Sequence, residues 1–474
     1  MNGIGESRCV TLQRAAMDFA HADRKTRYEQ IMSLLAHSDP AASFPYLFKD
    51  QYQLKGFYRF INNPAVTHTA FMDGYCSGLI QFAQEQQDSS GVQQQPWLLI
   101  QDTMVANYSS RSLDLGYTQK EQTNGFLLHH GLLLDEKATP LGLLHQQVIH
   151  RERSSYGKGK HCRSKKTEDK ESNKWIEALN TGLSFSEASG RALIHIMDRE
   201  ADIVDLINRC NQSKGQYFII RARHNRSTLS DYQRQQQQEA LETFRLFHLM
   251  RSLPQPSVIE RKLRDSKGKQ YEAACYIHYC SFSFRGIHQP LYCVWVKEKE
   301  PKQPDQKPAE WFLLTNVEVN NLQDAQQIAE WYSKRWIIEE LHKCYKTGCS
   351  IEKRQFDSRK TLTTVIAMLA LNAVMLLRSA YYAKEQPDAC FETVVTDTVE
   401  QQLAKRIAPQ YLKPADTKDT HPYSTLWWLL LLGRMGGHQG SRQKGLPGWQ
   451  TLWKGYTYFQ SLLIGFRYSS TNTS

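Results

Sequence analysis

Two aspartates each follow directly after an apolar run of the kind that forms a buried strand. Asp102 follows Trp97-Leu-Leu-Ile-Gln, and Asp198 follows Ile194-His-Ile-Met. Either aspartate alone is readily explained as a turn residue or a helix N-cap. A carboxylate at the end of a buried strand is costly unless a cation meets it, so two such positions also indicate a cation-binding site.

A third carboxylate, Glu339, lies in a segment whose periodicity predicts one long helix over residues 322–348. The predicted core stripe of this helix is Trp331, Ile338, Leu341 and Tyr345. Beside it runs a second stripe, at positions i, i+3, i+7 and i+14, that consists of Tyr332, Arg335, Glu339 and Lys346. By spacing alone, Arg335 and Glu339 could be an ordinary salt bridge worth about 0.3–0.5 kcal/mol.

Three carboxylates on a sheet and on a helix packed against it suit a divalent metal site. Carboxylate oxygens are the ligands that Mg²⁺ prefers, and Mn²⁺ can substitute for it. Two ions about 3.5–4 Å apart can activate an attacking oxygen and stabilise a leaving one. We therefore expect Asp102, Asp198 and Glu339 to be catalytic ligands of two ions per active site. Arg335 and Lys346 would hold phosphates beside them.

The elements that must position these acids are strands and helices in alternation. Apolar runs predict strands over 97–100, 126–134, 141–149, 192–197 and 217–220, with helices near 172–183 and 201–210. Three early strands followed by strand, helix and strand predict an α/β fold with a mixed sheet. The helix before the fourth strand permits a right-handed crossover that sets this strand parallel to the first. The two aspartates would then lie at one edge of the sheet.

The length of 474 residues predicts two to three domains. Residues 1–95 have helical spacing and form the first predicted domain. The second spans 96–382, with a β-rich insertion at about 228–310 and a buried helix over 361–382. The third is 383–474, whose tail from Tyr423 is aromatic and apolar.

The formal net charge of +11 favours a polyanionic partner, either nucleic acid or an acidic membrane surface. The excess is localised: residues 1–95 carry −1, whereas 151–174, 331–360 and 420–474 carry +5, +4 and +5. The first ten residues have no apolar signal region, and the longest apolar run, 361–377, is shorter than a membrane span of about 20 residues. We therefore expect a cytoplasmic protein with no membrane partner.

The acids and the helix motif resemble those of a known family. Asp102, Asp198 and Tyr332-x2-Arg335-x3-Glu339-x6-Lys346 are similar to the acidic triad and Y-R-E-K signature of bacterial insertion-sequence cut-and-paste transposases. The likeness runs nearly end to end, through GFYRFINNPAV from Gly56, IQDT from Ile100, GLLHQ from Gly142, ESNKW from Glu171, DREADI from Asp198, RWIIEELHKCYKTG from Arg335 and LWKGY from Leu452. The glutamine run at 235–238 departs from the family pattern.

The resemblance implies a ribonuclease-H-like catalytic domain, an N-terminal helical domain that reads transposon ends, and a C-terminal helical dimerisation domain. It also implies that water nicks the transposon end and that the freed 3′-OH attacks the opposite strand to form a hairpin. A second water then opens the hairpin, and the 3′-OH joins target DNA. The implied partners are transposon-end DNA, target DNA and a second copy of the chain in a synaptic complex, near the bacterial nucleoid.

The resemblance further suggests which side chains hold DNA. Tyr332, Arg335, Lys343 and Lys346 would grip the DNA near the hairpin, and Trp311 would stack on a flipped base, unless it is an ordinary core tryptophan. If their segment is a strand, Arg221 and Arg223 share a face that either contacts phosphate or is solvated. In the N-terminal domain the candidate contacts are Arg24, Lys25, Arg27, Lys55 and Arg59.

Two alternative functions remain open from the sequence. A ribonuclease-H-like nuclease would only hydrolyse DNA, and it would not need the hairpin-handling residues Tyr332, Trp311 and Lys346. A non-catalytic DNA-binding protein, such as a transposase-derived inhibitor, would gain nothing from three clustered acids near phosphate.

Overall fold

The computed structural model describes most of the chain. The described residues are 7–36, 38–39, 41–48, 50–87, 95–108, 113–120, 122–157, 170–229, 244–264, 270–284, 286–287, 289–301, 307–395, 397–418, 420–440 and 445–471. The glutamine run at 235–238 and residues 158–169 of the basic segment lie outside these ranges.

A large mixed sheet forms the centre of the protein. In the described residues its strands are β1 (Trp97–Asn107), β2 (Gly125–Leu134), β3 (Pro140–Ile149), β4 (Leu193–Met197), β5 (Gln216–Arg221), β6 (Ser227–Leu229), β7 (Phe244–Arg245), β8 (Ser257–Arg264), β9 (Gln270–Phe284), β10 (Leu291–Glu298) and β11 (Glu310–Thr315). Their order is β3-β2-β1-β4-β5-β11-β10-β9-β6-β7, with β8 on β9. β4 pairs in parallel with β1 and β5, and the other pairs are antiparallel. The predicted α/β mixed sheet is confirmed.

Helices lie before, between and after these strands. The first five are α1 (Arg8–Ala15), α2 (Ala22–Ala36), α3 (Phe44–Leu47), α4 (Gln51–Ile61) and α5 (His68–Gln87). Within the sheet region are α6 (Asn173–Ser189), α7 (Val204–Gln212), α8 (Leu246–Ser252), α9 (Leu322–Ser333) and α10 (Trp336–Lys343). The remainder are α11 (Arg359–Glu385), α12 (Thr398–Tyr411), α13 (Pro414–Thr417), α14 (Thr425–Met435) and α15 (Trp449–Thr471).

The two faces of the sheet are covered by different helices. On one face, Leu98, Ile100 and Ile196 share a core with residues of α2, α4, α5, α9, α10 and α11. On the other face, Trp175 of α6 and Leu206 of α7 pack against β4 and β5. Because both faces are covered, every position of β2 is buried, as its continuous apolar run predicts.

The β-rich segment is not a separate sheet. β11 pairs with β5, and β10 and β9 follow in order, so these strands extend the central sheet beyond its parallel part. The short helix α8 interrupts the strands. The segment therefore shares its core with α6 and α7.

The prediction of one long helix over residues 322–348 is wrong. α9 ends at Ser333, α10 begins at Trp336, and a five-residue π-helical turn, Cys344–Gly348, follows. The chain tightens at the break, because the N–H groups of Lys334 and Arg335 bond to carbonyls three residues earlier instead of four. Tyr332, Arg335, Glu339 and Lys346 therefore do not form one continuous stripe.

The helix predicted over 361–382 is α11, which is longer than expected and runs through the predicted domain boundary at 382/383. Among the described residues it is the one helix that is long and apolar enough to cross a membrane. However, 89% of its most apolar window is buried inside the protein. It packs on α5 and on the sheet; for example, the Tyr75 hydroxyl donates to the Ala367 carbonyl at 3.0 Å.

Candidate active site

Several of the candidate residues lie in one row across adjacent strands. Continuing the parallel register of β1 and β4 by two residues brings Asp102 beside Asp198. The register of β4 and β5, continued by one residue, brings Arg221 beside Asp198. Arg221 pairs with Leu313 on β11, and Trp311 is two residues away on that strand. The sheet topology therefore brings together residues that are up to 209 positions apart in the sequence.

The members of this row point to the face that α9 and α10 cover. Side chains alternate along a strand, so residues two apart share a face. Ile100, Ile196, Ile219 and Leu313, each two residues from a row member, all belong to the core that contains α9 and α10 residues. Glu339 on α10 can therefore face the two aspartates.

The expectation that Asp102 ends a strand is wrong. β1 continues to Asn107, paired with β2, and only its pairing with β4 stops at Ile100. Asp198 does follow β4 directly, and its Oδ1 caps the short 3₁₀ helix Arg199–Ala201 by accepting the Glu200 N–H at 2.8 Å. Asp102 thus has an open side because β4 has ended, while β2 still holds its backbone.

Arg335 links the sheet to helix α10. Its Nη1 donates to Asp102 Oδ2 at 2.8 Å, and its Nη2 donates to Glu339 Oε1. All three side chains are partly exposed, by 23% for Arg335, 20% for Asp102 and 30% for Glu339. One guanidinium group therefore occupies the place between two acids that come from different elements.

The pKa values of both aspartates are raised in spite of Arg335. Burial raises the pKa of Asp102, although Arg335 and the Thr103 N–H oppose this shift. Burial also raises the pKa of Asp198, and the negative charges of Asp102 and Glu200 add to the effect. The pKa of Arg335 is raised because its acidic neighbours outweigh its burial. Partly buried like charges of this kind favour the entry of a further cation.

A second cluster lies at the other end of the row. The Trp311 and Tyr332 rings meet edge to face, with centroids 5.5 Å apart. Arg221 lies against Tyr332 and donates from Nη2 to the Glu310 carbonyl at 2.8 Å. Burial lowers the pKa of Arg221, and the positive charges of Arg199 and Arg335 lower it further. This cluster combines half-buried aromatic surface with three guanidinium groups beside Asp198.

The structure does not bring every predicted residue to this centre. Lys346 lies in the π turn, 3.3 Å from Glu352, and Lys343 is exposed, with its Nζ on Glu340 and 4.9 Å above the Trp336 ring. β5 ends at Arg221, so Arg223 lies in the following loop and shares no strand face with it. Lys343 and Lys346 therefore pair with acids outside the triad, and Arg223 lies beyond the end of β5.

The five N-terminal candidates fall into two groups. Arg24 donates to the Phe19 carbonyl and Lys25 to the Ala15 carbonyl, so their donors serve the helical fold, while the Arg27 guanidinium lies over Gly56. Lys55 and Arg59 are exposed on α4. Their i,i+4 spacing places them on the same side of this helix.

Residues of the DREADI segment were missed as site residues. Arg199 is exposed beside Arg221 and Tyr332, and Glu200 lies within electrostatic reach of both aspartates. Lys174 of the ESNKW segment, almost fully buried, donates to Glu200 at 3.1 Å. The two motifs were visible in the sequence, but their contact depends on the packing of α6 against β4.

The three carboxylates are suitable ligands for divalent metal ions, although Arg335 binds two of them, Asp102 and Glu339, in this structure. Carboxylate oxygens from β1 and α10 already converge on one cationic group, and Asp198 adds a third carboxylate from β4. Within the described residues, no group of three or more His, Cys, Asp or Glu side chains is placed so that it could hold an ion without rearrangement. Asp102 and Glu339 would have to release Arg335 to bind one.

Comparison with protein families identifies two domains in the chain. Residues 10–66 match the family described as Transposase DNA-binding, and residues 177–375 match the family described as Transposase DDE domain. The two matches cover just over half of the 474 residues. Asp198 and Glu339 lie inside the second match, and Asp102 lies before it.

The helical N-terminal domain, the mixed sheet and these matches together define a DNA transposase. More particularly, the chain belongs to the DDE transposases, metal-dependent enzymes that cleave DNA and transfer its strands.

Proposed function

We propose that this transposase moves DNA by cut and paste. We also propose that it carries the Y-R-E-K signature and is similar to the transposase of the kanamycin-resistance composite transposon. It would bind transposon ends, cleave them through a hairpin intermediate and join the 3′-OH to target DNA. The observation that carries the proposal is the row Asp102, Asp198 and Arg221, faced by Arg335 and Glu339. It combines the acids for phosphoryl transfer with the cations that hold phosphate.

In this proposal the three acids bind the catalytic ions, and Arg335 changes partner. Two Mg²⁺ ions, or Mn²⁺ in their place, would activate the attacking oxygen and stabilise the leaving one. Asp102 and Glu339 exchange the Arg335 guanidinium for the ions, and the freed guanidinium can then form a bidentate contact with a DNA phosphate. The same arginine thus keeps the acids together before DNA arrives and holds DNA afterwards.

The aromatic cluster supports the hairpin intermediate. A tight hairpin unstacks a base, and stacking on an aromatic ring recovers about 1–3 kcal/mol. Trp311 is half-buried and its ring is already oriented by Tyr332. Arg221 and Arg199 lie beside Tyr332, which supports contact with a phosphate next to such a base. A nuclease that only hydrolyses DNA has no use for this cluster.

Four further proposals concern the fold, the partners and the location of the protein. The order β3-β2-β1-β4-β5, with an antiparallel meander before the parallel strands, supports a ribonuclease-H-like catalytic core at 96–382. The exposed Lys55 and Arg59 support end recognition by the domain at 1–95. α15 exposes Tyr458, Ile464 and Tyr468, which supports a homodimer built by 383–474 in a synaptic complex. DNA partners in turn support a cytoplasmic, nucleoid-associated location.

The test is to incubate the protein with a linear duplex that carries its own element's end, with Mg²⁺, and to separate the products on denaturing gels. We expect a hairpin product, and then strand transfer when target DNA is added. Nicked or degraded DNA without a hairpin would favour the hydrolytic nuclease. Full activity of Asp198→Ala would exclude the proposed triad.

A further inference from the structure

Asp202, whose side chain is completely buried, bonds to a second part of the chain, residues 223–226. Its Oδ2 accepts the N–H groups of Arg223 at 2.8 Å and His224 at 2.9 Å. Its Oδ1 accepts Nη1 of Arg226, and Nη2 of the same arginine donates to the Asp202 carbonyl at 2.9 Å. The Asp202 side chain has no exposed surface. All four bonds join the turn after β4 to the loop after β5.

The two parts that Asp202 joins each carry a residue of the proposed active site. Asp198 begins the turn, and only the 3₁₀ helix Arg199–Ala201 separates it from Asp202. Arg221 ends β5, one residue before the loop that Asp202 holds. In the β4–β5 register Asp198 and Arg221 are neighbours. Asp202 therefore adds a connection beyond the last β4–β5 pair, between the backbones that carry the proposed metal-binding acid and the proposed phosphate-binding cation.

The rest of the turn is tethered as well. The Asp198 side chain caps the 3₁₀ helix, and Glu200 is held from the other side by the buried ammonium group of Lys174. A five-residue turn with three anchored acids has little freedom to move. This is the preorganisation that an active-site carboxylate needs, because a displacement of about 1 Å can cost roughly 100-fold in rate.

We infer that Asp202 is a positioning residue for DNA cleavage, which holds Asp198 and Arg221 at their working separation without touching DNA or metal itself. The inference rests on the proposed function. A merely structural role would affect stability alone, whereas a positioning role affects the chemical rate of the folded enzyme.

The decisive variant is Asp202→Asn, measured in the full-length protein. The asparagine keeps one oxygen for the two backbone N–H groups, but its NH₂ group then faces the Arg226 donors. We expect the cleavage rate at saturating end DNA to fall about 10- to 100-fold, and the Kd for the end duplex to change less than about 2-fold. Rates are measured in a single turnover, at a temperature where circular dichroism shows the variant to be folded.

A second substitution tests the same geometry by rescue. In Asp202→Asn with Arg226→Gln, the new amide oxygen can accept from the asparagine NH₂, so the bonding pattern is restored without charge. We expect this double variant to cleave at least about 5-fold faster than Asp202→Asn alone, because the donor clash and the unpaired buried cation are both removed.

The matched control is Asp135→Asn. Asp135 also accepts two backbone N–H groups, from Lys137 and Thr139, but in the β2–β3 turn, about 16 Å along β2 from the residue that pairs with Asp102. It should lower stability without changing the cleavage rate of the folded enzyme. An Asp202→Asn enzyme that cleaves at the wild-type rate when folded would overturn the inference.

Two further results keep the test decisive. If Asp202→Asn does not fold, Arg226→Met alone is measured, which removes both Arg226 bonds to Asp202 and leaves only the two backbone bonds; an unchanged cleavage rate in this variant overturns the inference. Asp198→Asn is measured in parallel. If it retains full cleavage, the proposed function fails; if it abolishes cleavage while Asp202→Asn does not reduce it, only the positioning role fails.

Discussion

Arg434 and Arg335 both bind carboxylates, and they do so in opposite ways. In the C-terminal helices, Arg434 donates from Nε and Nη2 to both oxygens of Asp416, at 2.8 and 2.7 Å, and both side chains are buried. In the active site, Arg335 divides its donors between Asp102 on β1 and Glu339 on α10. Arg434 thus binds both oxygens of one carboxylate, whereas Arg335 connects two elements whose acids could also share an ion.

The pKa shifts show the consequence of this difference. Burial alone would raise the pKa of Asp416, but Arg434 and the Lys413 N–H hold it below its ordinary value. At Asp102 the balance is reversed, and burial keeps the pKa raised in spite of Arg335. Arg335 divides its donors between Asp102 and Glu339 and does not offset the burial of Asp102 or Asp198. Arg434 therefore stabilises the charged form of its one carboxylate, whereas the active-site aspartates keep raised pKa values that a metal ion would lower.

The largest effect that follows from this comparison is the loss of chemistry on removing an active-site acid. Glu339→Gln should lower the rate of end cleavage about 1000-fold, because a metal ligand of the transition state is lost. Binding of the end duplex should persist, and gel-based rates with a parallel binding assay measure both. Asp416→Asn, compared at a temperature where both variants are folded, should leave Mg²⁺-dependent chemistry far closer to wild type. Equal losses would remove the distinction between the two sites.

The second effect is on stability, where we expect the C-terminal pair and not the active site to be the more sensitive. Asp416→Asn should lower the free energy of unfolding by about 3 kcal/mol, because it leaves Arg434 buried without its partner. Denaturant titration followed by circular dichroism measures this value. The exposed pair Lys405 and Glu392 is the control, and Glu392→Gln should cost less than about 1 kcal/mol. If the loss of stability in Asp416→Asn is as small as that in Glu392→Gln, the interpretation of Arg434 and Asp416 as a strongly coupled buried pair is contradicted.

The third effect concerns competition between Arg335 and metal ions. Arg335→Gln should strengthen Mn²⁺ binding in the absence of DNA roughly five-fold, which corresponds to about 1 kcal/mol of hydrogen bonding that the ion no longer displaces. Calorimetry or electron paramagnetic resonance measures this affinity. Arg434→Gln should leave it unchanged. Weaker Mn²⁺ binding in Arg335→Gln would mean that the arginine instead holds the acids in position for the ion.

The smallest effect is the order in which the two pairs respond to acid. The folded pKa of Asp102 is raised, so Asp102 takes up its proton first as the pH falls, and it then holds Arg335 less strongly. The folded pKa of Asp416 is lowered, so its contribution to stability is present above the unfolded value of about 3.9 and is lost only as the pH falls through the lower folded value. Carboxyl carbon-13 NMR titration, assigned with the two Asn variants, measures both. The reverse order would contradict the comparison.

Much of the site could be predicted from the sequence, and the failures have local causes. Asp198 and Glu339 were identifiable because strand-end position and helical spacing depend on nearby residues. The break at Lys334 and Arg335 was not identifiable, because no glycine or proline marks it in the sequence. Asp102 was misplaced at a strand end for a similar reason: the length of β1 is determined by its pairing with β2.

By itself, the sequence determined the mixed α/β sheet, the candidate acids and the localisation of positive charge, since these depend on residue type and short-range periodicity. The tertiary structure alone decided that Arg335 bridges Asp102 and Glu339, that Asp202 joins two strand ends, and that Lys174 holds Glu200. Each of these contacts joins residues from different strands, helices or loops. Such contacts depend on how sheet and helices pack, which no local pattern of residues encodes.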